Sequence, residues 1–121
     1  MGPRRRLTAF AREALATLRG QRRVYRVEGR SMLPTLNPDE LVWVNTASDR
    51  TEPDQVLLVR DPRDGRILVK RVSATEGARF LVASDHPSEG RDSRHFGWLD
   101  ATHRVGRCLA VWSTSRGGRA L

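Results

Sequence analysis

From residue 22 onward the chain offers short runs rich in valine, leucine and isoleucine, each stopped within a few residues by a cluster of turn formers. Asn37-Pro38-Asp39, Glu52-Pro53-Asp54, Asp61-Pro62-Arg63-Asp64-Gly65 and Glu76-Gly77 supply the Pro, Asp and Gly that tight reversals need. This rhythm predicts strands at residues 24–28, 41–45, 55–60, 66–74, 79–84 and 107–112, and hence a small all-β domain. With 121 residues there is room for one core but not for two. The Asp64-Gly65 step between apolar runs predicts a hairpin whose second strand presents Lys70. Residues 114–121, a stretch of Ser, Gly and Arg, read as a flexible tail.

Before the β pattern comes a different one. Leu7, Phe10, Ala11, Ala14, Leu15 and Leu18 recur at helical spacing and Gly20 ends the run, so residues 1–23 read as a basic amphipathic helix ahead of a β-rich domain at 24–113. The formal charge of +8 is concentrated there: residues 1–26 carry +7 and the remaining 95 carry +1. An apolar stripe must bury against something, and three partners stay open: the domain's own core, a protein, or an anionic membrane surface touched through residues 4–19. The longest uninterrupted apolar stretch, residues 108–112, falls far short of the roughly 18 residues a spanning helix requires. The Arg4-Arg5-Arg6 opening leads into no apolar secretory segment. One cysteine, Cys108, forms no internal disulfide. A soluble cytoplasmic protein is expected.

Among 22 basic residues only Lys70 is a lysine. A guanidinium stays protonated at physiological pH, whereas a buried ammonium can give up its proton and serve as a base. Lys70 lies in the apolar run Ile67-Leu68-Val69-Lys70-Arg71-Val72, and upstream stands Ser31 in Gly29-Arg30-Ser31-Met32-Leu33-Pro34-Thr35-Leu36. A serine hydroxyl becomes a useful nucleophile when a neutral amine takes its proton, and the walls expected to desolvate this amine are Leu68, Val69 and Val72. The pair suggests a serine/lysine hydrolase.

Three segments resemble boxes of the signal peptidase I family: Ser31-Met32-Leu33-Pro34-Thr35-Leu36 the nucleophile box, Leu68-Val69-Lys70-Arg71-Val72 the general-base box, and Asp92-Ser93-Arg94 with Gly97 a third, all in the family's order. The short members without membrane anchors, the maturation proteases of nickel-type superoxide dismutase among them, are similar to this chain. The resemblance implies a signal-peptidase or repressor-protease type of β domain and a serine endopeptidase. It implies Ser31 as nucleophile and Lys70 as general base. Gly29, Arg30, Ser31, Met32 and Val69 would shape the oxyanion and substrate site, and Pro34, Arg71, Asp92, Ser93 and Arg94 would support it. The implied partner is a precursor, that of nickel-type superoxide dismutase, losing an N-terminal extension. The implied enzyme uses neither cofactor nor metal.

Some residues depart from the family pattern. Gly29 stands where many relatives carry a hydroxyl that adds a second oxyanion donor. Gly90 replaces a serine that often supports the lysine, and Ser84-Asp85-His86 replaces Gly-Asp-Asn, leaving Ser88, Ser93 or a water to orient the amine. Asp39 and Asp54 occupy turns where relatives favour glycine.

Rival readings remain. Ser31 could work with His86, His95 or His103 and with Asp85 or Asp92 as a triad. The His and Cys residues lack the short paired spacing of zinc ligands. Related self-cleaving repressors need an upstream DNA-binding module, for which the 30 residues before Ser31 are too few. A soluble peptidase with another substrate, and a noncatalytic basic adaptor or nucleic-acid-binding module built on the arginine arm, are the remaining alternatives; no nucleic acid is expected as partner of the peptidase.

Overall fold

The computed structural model describes residues 22–47 and 50–121. Of the helix expected at residues 1–23, residues 1–21, and with them the membrane contact at 4–19, lie outside the described residues, while Arg22 and Arg23 belong to the first strand and not to a helix. The described chain is all-β: β1 (Arg22–Arg26), β2 (Leu41–Asn45), β3 (Val56–Arg60), β4 (Ile67–Glu76), β5 (Arg79–Ala83), β6 (Arg104–Ser113) and β7 (Gly117–Ala120). A single-turn helix α1 (Ser93–Phe96) and a 3-10 turn (Ala101–His103) join β5 to β6. All seven strands belong to one antiparallel sheet ordered β1-β2-β6-β3-β4-β5, with β7 paired to β6. Among the described residues, no helix is long and apolar enough to cross a membrane.

The four-residue run Val56-Leu57-Leu58-Val59 explains how the core is arranged. A strand with one wet face alternates apolar and polar, but all four of these residues are buried. β3 lies within the sheet, and its two faces feed two cores. Val56 and Leu58 pack with Val27, Met32, Leu36, Val42, Val44, Val69, Cys108 and Val111. Leu57 and Val59 turn to the other side and pack with Val72, Phe80, Val82 and Leu99. Lys70 pairs with Leu57 across the β3–β4 ladder, so the hairpin expected at Asp64-Gly65 forms and delivers the amine against an apolar neighbour.

β6 is longer than its apolar run. The sequence predicts 107–112 because Arg104 and Gly106 interrupt the pattern, yet pairing continues to Arg104 along β3. At Gly106 an added Cβ would lie 2.5 Å from the Asn45 carbonyl oxygen and 2.7 Å from Val44 Cγ1, so only glycine lets the strands approach there. Residues 117–120, expected within a flexible tail, instead form β7 against residues 110–113. Buried Glu40 anchors that end of the chain through Arg116 and Arg119, each within 3.0 Å. Burial alone would raise its pKa, but hydrogen bonds from Arg119, the Asn37 backbone and Arg116 outweigh it and bring the carboxyl to about 2. Asp39 and Asp54 adopt left-handed φ values of 71° and 75°, the geometry for which glycine is the usual choice.

Candidate active site

β1 leads into the loop that carries Ser31. The Val27 N–H donates to the Glu40 carbonyl and Val27 accepts from the Asp39 N–H, each at 2.8 Å, tying the base of the loop to the start of β2. Met32 and Leu36 sink into the first core, and the Leu36 N–H closes a turn onto the Met32 carbonyl at 2.9 Å. Pro34, following a cis Leu33–Pro34 peptide, sits exposed within that turn. The Ser31 carbonyl accepts from the His86 N–H at 2.8 Å. Ser31 is thereby fixed by its neighbours while its own side chain remains half-buried, facing a groove of about 270 Å³.

Lys70 comes from β4 and is 2 % exposed. Its Nζ lies 2.8 Å from Ser31 Oγ, across a sequence separation of 39 residues, and 3.1 Å from Ser84 Oγ. Strand alternation puts Leu68 and Val72 on the same face as the amine, with Leu57 opposite. Val69, expected as a third wall, points the other way and packs in the first core. Burial pulls the Lys70 pKa from 10.5 down to about 8; the Asp92 carboxylate opposes that fall and the Arg94 guanidinium assists it. A buried amine that gives up its proton near pH 8 instead of 10.5, touching a hydroxyl open to a groove, is equipped to remove that hydroxyl's proton.

The expected supporting residues gather round this pair. Asp92 is 2 % exposed and its carboxylate accepts from the Arg94 backbone N–H at 3.0 Å, Arg94 Nε at 2.9 Å and the Ser84 N–H at 3.0 Å. Ser93 Oγ accepts from the Val82 N–H at 2.8 Å, pinning α1 to β5. Arg71 forms a two-pronged pair with Asp85 at 2.8 and 2.9 Å and donates to the Asp54 carbonyl. Asp85 also accepts from Thr35 Oγ1 at 2.5 Å, so a polar bridge joins the serine loop to the lysine strand. Burial works against the Asp85 carboxylate, and the bonds from Arg71 and Thr35 hold its pKa below the usual range.

Sequence reasoning named Ser88 and Ser93 as the hydroxyls available to Lys70. The structure assigns the contact to Ser84, while Ser88 pairs with the His86 ring at 3.2 Å and Ser93 is engaged with β5. The missed signal was Ser84's place one residue beyond the end of β5, the neighbour of β4. The bridge through Thr35 and the hold of Arg119 on the Thr35 carbonyl, at 2.9 Å, were not legible as motifs. The partner of Ser31 Oγ is Lys70, while His86 turns to Ser88, His95 accepts from the Asp92 N–H and His103 accepts from the Asp100 N–H, so the rival Ser-His-Asp triad does not assemble among the described residues.

Gly29, Arg30, Met32 and Val69 line the groove together with Tyr25, Val27 and Ile67. Gly29 has a φ of 74° with open space where a side chain would stand, so no side-chain donor faces the hydroxyl from that position. At residues 67–70, β4 has β3 on one edge, while β5 pairs only from Arg71 onward. The Val72 N–H and C=O bond the β3 side, at Gln55 and Asp54. By alternation those of Val69 face the groove. Among the described residues no group of three or more His, Cys, Asp or Glu side chains is placed to hold a metal ion. Burial pushes the Cys108 thiol up to about 12, so it is an inert core group. No protein-family model matches the chain, and no curated protein matches it.

Proposed function

We propose that the protein is a serine endopeptidase of the signal-peptidase type, with Ser31 as nucleophile and Lys70 as general base, which removes an N-terminal extension from a precursor protein. The single observation that carries this reading is the 2.8 Å contact between the buried Lys70 amine and the Ser31 hydroxyl. Neutral Lys70 accepts the Ser31 proton as Oγ bonds to the scissile carbonyl carbon. The resulting ammonium returns that proton to the leaving amine as the C–N bond breaks. Water, deprotonated by the same amine, then hydrolyses the acyl-serine ester. The Ser31 N–H is the expected oxyanion donor. The precursor lies extended in the groove and bonds the outward-facing main chain of Val69, as peptides do on sheet edges.

Resemblance of the three boxes supports the finer parts of this reading: the signal-peptidase type of β domain and nickel-type superoxide dismutase precursor as the first substrate to try. A cytoplasmic location is the reading that one lone, buried cysteine supports. The test is to mix the purified protein, or its Ser31→Ala variant, with that precursor and read product masses. A shortened product from the parent protein and none from the variant is expected; identical products from both, or none from either, would remove the proposal. Cleavage of a residue-randomised peptide library should favour small side chains at the cut, and indifference to bulk there would contradict the groove as the substrate site.

A further inference from the structure

A neutral lysine amine has one lone pair and two N–H bonds, and the Cε–Nζ bond rotates freely. To receive a proton the lone pair must lie along the 2.8 Å line to Ser31 Oγ. What fixes that rotation is an acceptor for an N–H, and Ser84 Oγ supplies it at 3.1 Å. Ser84 is itself held, 6 % exposed, with its own N–H on buried Asp92. No hydroxyl can come from position 90. Gly90 has a φ of 75°, and a Cβ added there would stand 2.7 Å from Ser31 Cβ and 3.0 Å from Lys70 Nζ. The backbone of that loop closes directly over the two reacting side chains.

We infer that Ser84 is the positioning residue that aims the Lys70 lone pair at Ser31, and that Gly90 is glycine because its backbone seals the pair. Relative to the pattern the sequence resembles, serine and glycine have exchanged places: the hydroxyl moves to position 84 and the space it would need at position 90 is given up. The inference rests on the Ser31/Lys70 reading above. It predicts that restoring the usual serine at position 90 harms the enzyme.

The chain's single lysine makes a substrate-free test available. Protein labelled with 13Cε,15Nζ-lysine gives one side-chain signal, whose midpoint follows Lys70 directly. In Ser84→Ala the ammonium loses an acceptor, so the midpoint should fall by about one pH unit. Thermal melts establish that this variant is folded. On the precursor, its kcat should drop about 10- to 100-fold as the base loses its aim, with KM within about twofold. Gly90→Ser and the double variant Ser84→Ala/Gly90→Ser should both lose activity, and the second serine should rescue nothing. An unmoved lysine midpoint in folded Ser84→Ala, or a double variant as active as the parent, would overturn the inference. If the parent cleaves no precursor, the enzymatic reading fails on its own, while the lysine signal still decides whether Ser84 holds the amine.

Discussion

Replacing Lys70 by methionine keeps an unbranched chain one atom shorter and removes a buried amine. In the unfolded chain the amine keeps its proton to 10.5, but in the folded protein only to about 8. The fold therefore opposes the ammonium by about 3 kcal/mol at neutral pH. Between those two values the unfolded chain binds more protons than the folded one, so stability rises with pH across that window. Methionine escapes the penalty but leaves the Ser31 and Ser84 hydroxyls without their partner, at roughly 1 kcal/mol each. At pH 7 Lys70→Met should be the more stable protein by about 1 kcal/mol. By pH 10 most of the penalty is gone and the order should reverse, the gap having moved by about 2 to 3 kcal/mol. Urea denaturation of both proteins at pH 7, 8, 9 and 10 reads this directly, and groups common to both cancel in the difference. A gap that stays constant over the range would refute a desolvated Lys70, and with it the proposed base.

Precursor cleavage should rise through about pH 8 as Lys70 loses its proton and then level off; a rate profile flat from mildly acid to alkaline would contradict a lysine base. Gly106→Ala should lower stability by about 2 to 3 kcal/mol in urea, because the new Cβ meets the Asn45 carbonyl oxygen at 2.5 Å. Glu40, whose carboxyl ionises down to about 2 in the fold against an ordinary 4.5, contributes stability that is complete above 4.5 and lost as pH falls toward 2; acid titration of Glu40→Gln should lack that part of the transition.

The strand-forming segments were legible wherever an apolar run met a turn cluster. Leu41–Asn45 matches its expected bounds, and Val56–Arg60 and Arg79–Ala83 each differ by one residue. What failed to show was pairing imposed from elsewhere. β7, the sequence Gly-Gly-Arg-Ala, has almost no β preference; it forms because β6 offers an edge and Glu40 grips Arg116 and Arg119. β1 was placed two residues late, since Arg22 and Arg23 carry no apolar signal while pairing with Asn45 and Val44. At the candidate site, Ser31 and Lys70 could be named because a nucleophile needs a base and one lysine stood out. Ser84, Thr35 and Asp85 act through contacts created by strand order, and that order is not encoded in any local spacing.

The interleaving of β6 between β2 and β3 also sets the order in which the two halves of the sheet can pair during synthesis. A ribosome has already made Ser31, Lys70 and Ser84 while the strand that joins the two halves of the sheet is still missing. Until Arg104–Ser113 has emerged, the layer carrying β1 and β2 has no backbone ladder to the layer carrying β3, β4 and β5. The backbone ladder between the half of the sheet beside Ser31 and the half carrying Lys70 therefore closes only once β6 has been made.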